Sequence, residues 1–138
     1  EVVCKKPLFL LDGAHNPQGA NTLRKALSEY FPDKRKFFIM GVLKDKDYKA
    51  MVEEIAPIAS QFIVVTPDNE RALPASELAR LLETYCNNIL ISDTIKEAIE
   101  TSLELCTSED LICASGSLSY IGEIRRYFNQ GRCKQCWI

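Results

Sequence analysis

The chain has 138 residues, of which 46% are hydrophobic and 26% charged, and its formal net charge is −2 at pH 7. This length and composition are typical of one globular domain with a hydrophobic core. The acidic and basic residues are intermixed, which argues against nucleic-acid binding, and no apolar run approaches the roughly 20 residues of a membrane-spanning helix.

Short apolar runs alternate along the chain with segments whose apolar residues recur at helical spacing. The runs predict strands and the spaced segments predict amphipathic helices. In chain order, we predict a short edge strand at residues 1–4 and further strands at 7–11, 36–40, 61–66, 88–91 and 110–114. Helices are predicted at residues 18–31, from 47 to about 57, at 74–85, at 95–105 and at 117–129.

Polar side chains stand at the start of four of these helices. Each can accept a hydrogen bond from a free backbone N–H of the first turn, which is what a helix cap does. The predicted caps are Asn16, Asp47, Asp93 and Ser117. Pro57 is expected to end or bend the second helix, because proline lacks the N–H that a helix interior needs.

Strand and helix alternate five times, with linkers of only a few residues. This order predicts an α/β fold: a doubly wound, mostly parallel open sheet of the Rossmann-like type, covered by helices on both faces in three layers. No repeat or linker interrupts the pattern, so we predict a single domain over residues 1–130. The sequence assigns no role to the tail at residues 131–138.

The six cysteines do not suggest a disulfide framework. Cys113 falls in an apolar strand pattern, and Cys86 and Cys106 fall near helix ends, where a free thiol behaves as a small hydrophobic side chain. We therefore expect reduced cysteines and a cytoplasmic protein. Cys133 and Cys136 have the spacing of a metal or redox motif, but no second pair accompanies them, and a frayed tail is the favoured interpretation.

The turn after the strand at 7–11 is the most informative segment. Asp12 and His15, the only histidine, lie on this turn, at the edge where open α/β sheets bind ligands. Asp12 could fix the turn by bonding nearby amides, or it could bind ribose hydroxyls or orient a metal-bound water; both interpretations stay open. For His15 we favour a role in binding a carboxylate or phosphate over one of merely flanking the helix cap.

The other strand-to-helix turns reach the same edge in such a sheet. Ser117 is a predicted cap, and its hydroxyl, beside Gly116 and a free helix end, also suits a carboxylate. Lys46 or Lys44 is a weaker candidate to hold an anionic substrate, since mixed-charge runs usually face solvent. Arg71 is expected to face solvent, with substrate or another domain as the alternative. The chain has no glycine-rich phosphate-binding motif, so we do not expect it to cradle a triphosphate alone.

Four segments occur in the order and at the spacing of one enzyme family. They are residues 11–17 (LDGAHNP), 41–47 (GVLKDKD), 71–74 (RALP) and 116–123 (GSLSYIGE). With these segments the chain, from residue 1 to about 128, resembles the C-terminal domain of folylpolyglutamate synthases within the Mur ligase superfamily. Some members also have dihydrofolate synthase activity. The absence of an initiating methionine suggests a fragment of such an enzyme.

The resemblance implies an ATP-dependent ligase of folate biosynthesis that joins L-glutamate to a reduced folate. In that family, ATP phosphorylates the folate carboxylate and the glutamate amine attacks the acyl phosphate. The P-loop, the Mg²⁺ ligands and most of the folate site belong to an N-terminal domain. We therefore expect this fragment to be a monomer without ligase activity of its own.

The shared motifs also imply roles for individual residues. Asp12 is expected to contact the nucleotide, and His15 and Ser117 to help hold the incoming glutamate. Lys46 is a weaker candidate for the same anionic site, and no residue of this chain is expected to bind metal. An arginine that assists nucleotide binding in the family precedes the matching segment and falls outside this chain. The cysteine pair of the tail has no family counterpart.

Two other functions stay open at this stage. One is a non-catalytic binding or regulatory α/β module of the receiver type; such modules group several acids and a lysine around a metal, whereas only Asp12 stands out here. The other is the C-terminal domain of a peptidoglycan-precursor Mur ligase, which shares the architecture. The segments Gly-Ala-His-Asn-Pro and Gly-Ser-Leu favour folate over cell-wall substrates.

Overall fold

The computed structural model describes residues 1–131, which form one six-stranded sheet with helices on both sides. The strands are β1 (Val2–Lys5), β2 (Leu8–Leu11), β3 (Lys36–Met40), β4 (Gln61–Val64), β5 (Ile89–Ile91) and β6 (Leu111–Ser115). Their spatial order is β1-β2-β6-β3-β4-β5. β1 runs antiparallel to β2 and every other pair is parallel, which confirms the predicted mostly parallel open sheet.

Within the described residues, five α-helices follow the strands. They are α1 (Pro17–Tyr30), α2 (Tyr48–Ile55), α3 (Ala75–Leu82), α4 (Ile95–Leu105) and α5 (Leu118–Asn129). A short 3-10 turn at Ala56–Ile58 follows α2, so the prediction that Pro57 ends this helix is confirmed. None of these helices has the length and hydropathy that crossing a membrane would require.

Side-chain caps begin four of the helices. Asn16, Asp47 and Ser117 accept hydrogen bonds from the first turns of α1, α2 and α5, as predicted. The prediction for Asp93 is wrong, because Thr94 caps α4: its Oγ1 accepts a hydrogen bond from the N–H of Glu97 at 3.0 Å. Thr94 directly precedes the helix in extended backbone, whereas Asp93 lies one residue too early to serve as the cap.

The sheet separates two buried apolar clusters, which confirms the three-layer prediction. One cluster lies between the sheet and α1, α2 and α3, and includes Leu23, Met51 and Leu78. The other lies between the sheet and α4 and α5, and includes Ile99 and Ile124. The alternation of side chains along each strand supplies both clusters, since successive residues point to opposite faces.

The cysteines follow the prediction at three positions and depart from it at one. Cys86, Cys106 and Cys113 are free thiols, and burial raises the pKa of Cys106 to about 12. Cys4 is disulfide-bonded, so the expectation of uniformly reduced cysteines is wrong at this residue. Composition gives the number of thiols, whereas the fold decides which of them come within bonding distance. The predicted frayed pair, Cys133 and Cys136, lies outside the described residues.

An ion pair between Arg35 and Asp110 lies at the end of the sheet opposite the strand-to-helix turns. Arg35 donates from Nε and Nη2 to the two carboxylate oxygens of Asp110, at 3.0 and 2.7 Å, and the N–H of Thr107 donates to Oδ2 at 2.7 Å. Burial by itself would raise the pKa of Asp110. The hydrogen bonds from Arg35 and Thr107 outweigh that effect and hold the pKa below its ordinary value.

We expect Asp110→Asn to lower the free energy of unfolding by on the order of 2 kcal/mol at neutral pH. Because the folded-state pKa of Asp110 lies below its unfolded value, the carboxylate stabilises the fold above the unfolded value, and this contribution is lost as the pH falls through the folded pKa. Urea denaturation from pH 7 to about pH 3 should therefore show the two proteins converging in stability. Glu109→Gln, at the exposed neighbouring carboxylate, is the control. A difference that stays constant over this pH range would contradict the assignment.

Candidate functional site

Three strand-to-helix turns meet at the carboxyl edge of the sheet. Because β6 lies between β2 and β3, the Ser117 turn is flanked by the turn of Asp12 and His15 on one side and by the turn of Lys46 on the other. Two backbone hydrogen bonds join the turn of Asp12 and His15 to the end of β6 and the Ser117 turn. The N–H of Asp12 donates to Ala114 O at 3.0 Å, and the N–H of Gly116 donates to Ala14 O at 2.9 Å.

Asp12 uses one carboxylate oxygen to hold its own turn. Its Oδ1 accepts a hydrogen bond from the N–H of Ala14 at 2.8 Å, which confirms the turn-fixing interpretation for this atom. The side chain is half-buried, and its Oδ2 has no hydrogen-bond partner within residues 1–131. The two interpretations of Asp12 are therefore compatible, since one oxygen builds the turn and the other can accept hydrogen bonds from a ligand hydroxyl.

The imidazole of His15 is oriented by the backbone of the same turn. Its Nδ1 lies 2.8 Å from the carbonyl oxygen of Gly13. Since that carbonyl can only accept, Nδ1 carries the proton in this contact. In the neutral ring, Nε2 is then an acceptor suited to an ammonium group; in the protonated ring, it is a donor suited to a carboxylate.

Asp12 and His15 line one cleft with a volume of about 360 Å³. The same cleft is lined by Gly19, Thr22, Leu23 and Ala26 of α1. The cleft thus combines a carboxylate and an imidazole with an apolar wall. In ligand pockets of this kind, a few polar groups orient the ligand and the apolar surface excludes water around it.

Ser117 is closer to the interior than its place on a turn suggested. It is 3% exposed, and its Oγ accepts a hydrogen bond from the N–H of Ser119 at 3.1 Å and lies 2.7 Å from the Oγ of Ser119. The cap prediction is confirmed. A ligand carboxylate at this helix end would meet the exposed Ser119 together with Ser117, and Ser119 is a residue that the sequence analysis did not single out.

Leu118 is a second residue at this edge that the sequence analysis did not single out. It is 62% exposed although it is a large apolar side chain. A Cβ added to Gly13 would lie only 2.9 Å from the Cδ2 of Leu118. Gly13, in the turn of Asp12 and His15, therefore makes room for the apolar side chain of Leu118, which directly follows the Ser117 turn. The sequence could have pointed to this residue, because Leu118 directly follows Ser117, the cap of α5.

Lys46 lies on the far side of the Ser117 turn and does not line the cleft with Asp12 and His15. The turn that carries it is held by its neighbour in the sheet: the N–H of Lys44 donates to Arg71 O at 2.7 Å. Arg71 faces solvent as predicted, and its Nη1 pairs with Asp45 at 2.7 Å. An ion pair this exposed contributes little to stability, but it joins the turns after β3 and β4.

The described residues do not fit a magnesium site. Within residues 1–131, no group of three or more His, Cys, Asp or Glu side chains is arranged to hold a metal ion. Mg²⁺ takes oxygen ligands, usually one or two carboxylates with substrate phosphates and water.

Comparison with known protein families assigns most of the chain to one model. The model of the Mur ligase, glutamate ligase domain matches residues 1–118. A folylpolyglutamate synthase from Lacticaseibacillus casei is 32% identical over 133 residues, covering 96% of this chain and 29% of the relative. The UDP-N-acetylmuramoyl-L-alanyl-D-glutamate–2,6-diaminopimelate ligase of Caldanaerobacter subterraneus is 30% identical over 113 residues, covering 77% of this chain and 23% of the relative. The chain spans less than a third of the length of either relative.

Solved structures share the fold. The bifunctional folylpolyglutamate synthase/dihydrofolate synthase of Yersinia pestis, complexed with AMPPNP and Mn, superposes with a TM-score of 0.85 at 21% identity, over 94% of this chain and 30% of that one. A structure of a bifunctional synthase with Mn, AMPPNP and L-glutamate bound gives a TM-score of 0.84 at 21% identity, over the same shares of the two chains. At this identity the likeness shows the fold.

Proposed function

Because this chain belongs to the family of Mur ligase glutamate ligase domains, we propose that residues 1–130 are the C-terminal domain of a folylpolyglutamate synthase. The complete enzyme is an ATP-dependent amide ligase that adds L-glutamate to a reduced folate. The observation that carries the proposal is the shared cleft of Asp12 and His15, with the Ser117 turn bonded beside it through Gly116. A nucleotide contact and a glutamate contact would then lie on adjacent turns.

The reaction explains why such a site would have two halves. A carboxylate is a poor acyl donor, so ATP first phosphorylates the folate carboxyl group, and the amine of glutamate then displaces phosphate. Several anions must be held together with water excluded, which is a task of positioning and electrostatics. We assign the P-loop, the Mg²⁺ ligands and most of the folate site to an N-terminal domain, over which this domain closes.

The individual roles follow from the polar atoms left for ligands. Asp12 accepts hydrogen bonds from the nucleotide, most simply from ribose hydroxyls, through its Oδ2. His15 and the Ser117 turn hold the incoming glutamate. Lys46, on the next turn, contributes positive charge to the same anionic site at longer range. In this proposal the enzyme is cytoplasmic and the domain is a monomer whose partner is the P-loop domain of the same protein.

The proposal predicts that the 138-residue chain has no ligase activity by itself and that the longer protein containing it does. The assay is ADP release that requires both L-glutamate and a reduced folate, with mass spectrometry to detect one added glutamyl residue. In the longer protein, we expect His15→Ala to raise the KM for L-glutamate by about tenfold, the loss of one hydrogen bond to a charged group.

The same assay separates the alternatives. Turnover by the 138-residue chain alone would overturn the two-domain assignment. The identity to a diaminopimelate ligase favours a peptidoglycan-precursor ligase as the second candidate; activity with diaminopimelate and a UDP-linked muramoyl peptide, and none with folate, would establish that candidate instead. Unchanged kinetics in His15→Ala would overturn the site assignment while leaving the family intact.

A further inference from the structure

A buried tyrosine lies beneath the place where the Ser117 turn meets the turn that carries Lys46. Tyr120, in the first turn of α5, is 1% exposed. Its hydroxyl is within hydrogen-bonding distance of two backbone carbonyls, Ile39 O at 3.2 Å and Ser115 O. Burial raises the pKa of Tyr120, so the phenol stays neutral and its proton is shared between the two carbonyl oxygens.

The two carbonyls belong to neighbouring strands near the points where those strands end. Ser115 is the last residue of β6 and directly precedes Gly116 and Ser117, and Ile39 lies in β3 two residues before Gly41. The register of β3 against β6 pairs Met40 with Ser115. One hydroxyl therefore ties the base of the Ser117 turn to the base of the turn that carries Lys46.

The same two turns also touch each other above the tyrosine. Gly116 has a φ of +109°, and a Cβ placed on it would lie 2.5 Å from Gly41 O. The backbones of the two turns are thus in direct contact at this edge. Their separation is set from above by the Gly116–Gly41 contact and from below by the hydroxyl of Tyr120.

We propose that Tyr120 is a positioning residue: its hydroxyl sets the separation and orientation of the Ser117 and Gly41–Asp47 turns, and with them the geometry of the glutamate site. The inference rests on the function proposed above and names a residue that contacts no substrate. Asp12 lies on the opposite side of the Ser117 turn, directly after β2 rather than after β3. The effect of Tyr120 should therefore fall mainly on glutamate and only weakly on ATP.

The hydroxyl itself needs an explanation that core packing does not supply. The ring of Tyr120 packs in the cluster beneath α4 and α5, and a phenylalanine ring would fill the same space. A hydroxyl buried at this depth costs free energy unless it is hydrogen-bonded. Here its partners are the two carbonyls at the bases of adjacent turns, which is where a bond would control how those turns meet.

The test is Tyr120→Phe in the longer, active protein, with the KM values for L-glutamate and for ATP measured separately. We expect the KM for L-glutamate to rise by about five- to tenfold while the KM for ATP changes by less than about twofold. A KM does not depend on the fraction of folded enzyme, so partial unfolding of the variant would leave this result readable. Tyr127→Phe is the matched control, since Tyr127 is a buried tyrosine of the same helix two turns away.

A second measurement keeps this inference separate from the proposed function. In ¹H–¹⁵N spectra of the 138-residue chain, Tyr120→Phe should shift the amides of Gly41 and Ser117, and Tyr127→Phe should not. If the longer protein adds no glutamate, the proposed function fails, and the spectra still decide whether Tyr120 orders the two turns. An unchanged KM for L-glutamate, an equal rise in both KM values, or unshifted amides at Gly41 and Ser117 would overturn the role of Tyr120.

Discussion

Gly116→Ala should lower the free energy of unfolding by about 3 kcal/mol. Two costs add at this position. The φ of +109° is unfavourable for any residue with a Cβ, and the new Cβ would lie 2.5 Å from the backbone oxygen of Gly41. Neither cost is easily relieved, because the contact atom is main chain rather than the end of a flexible side chain.

Gly122→Ala is the matched control for this prediction. Gly122 lies within α5, six residues further along, and nothing lies within 4 Å of a Cβ added there. Alanine is a better helix former than glycine, so this variant should be stabilised by about 0.5–1 kcal/mol. Urea denaturation of the 138-residue chain measures both. Equal stabilities of the two variants would mean that the turn at Gly116 is not constrained as described.

Asp12→Ala in the longer protein should lower kcat/KM for ATP by about 10- to 100-fold, the loss of hydrogen bonds to a charged acceptor. The expected reason is that Oδ2, which has no partner within residues 1–131, accepts hydrogen bonds from the nucleotide. The alanine variant also loses the bond from Oδ1 to the N–H of Ala14 at 2.8 Å, so turn and ligand effects would be mixed in it.

Asp12→Asn separates the two effects. An asparagine keeps an oxygen that can accept the N–H of Ala14 and so preserves the turn, but it carries no charge. We expect its melting temperature to stay near that of the wild type and its kcat/KM for ATP to fall between the wild-type and Asp12→Ala values. If Asp12→Asn has wild-type kinetics and only Asp12→Ala is impaired, Asp12 serves the turn and not the nucleotide.

Most elements could be predicted because their signals are local. Helix periodicity, the apolar strands, and the caps at Asn16, Asp47 and Ser117 depend on residues within a few positions of one another. The one wrong cap was also a local matter: Thr94 and Glu97 have the spacing of a capping box, and this pattern outweighs the cap preference of the adjacent Asp93. The start of α3 differs, because Thr66, nine residues earlier, accepts a hydrogen bond from the N–H of Ala75 at 2.9 Å. No local pattern encodes that contact.

In the candidate site, too, some features could be predicted from local sequence and others could not. The sequence placed Asp12, His15 and Ser117 on strand-to-helix turns, and the parallel fold brings such turns to one edge. It could not show that the side chain of Leu118 meets Gly13 at this edge. That contact depends on how the first turn of α5 packs against the turn of Asp12 and His15.

By itself, therefore, the sequence determined the α/β class, the bounds of the strands and helices to within a few residues, and the turns that carry the polar side chains, because all of these follow from short-range periodicity and backbone chemistry. Only the tertiary structure decided that β6, the last strand in the chain, lies between β2 and β3. That placement puts the Ser117 turn between the other two turns and brings the hydroxyl of Tyr120 to two strands at once. Strand order is set by contacts between residues far apart in the chain, which no local pattern records.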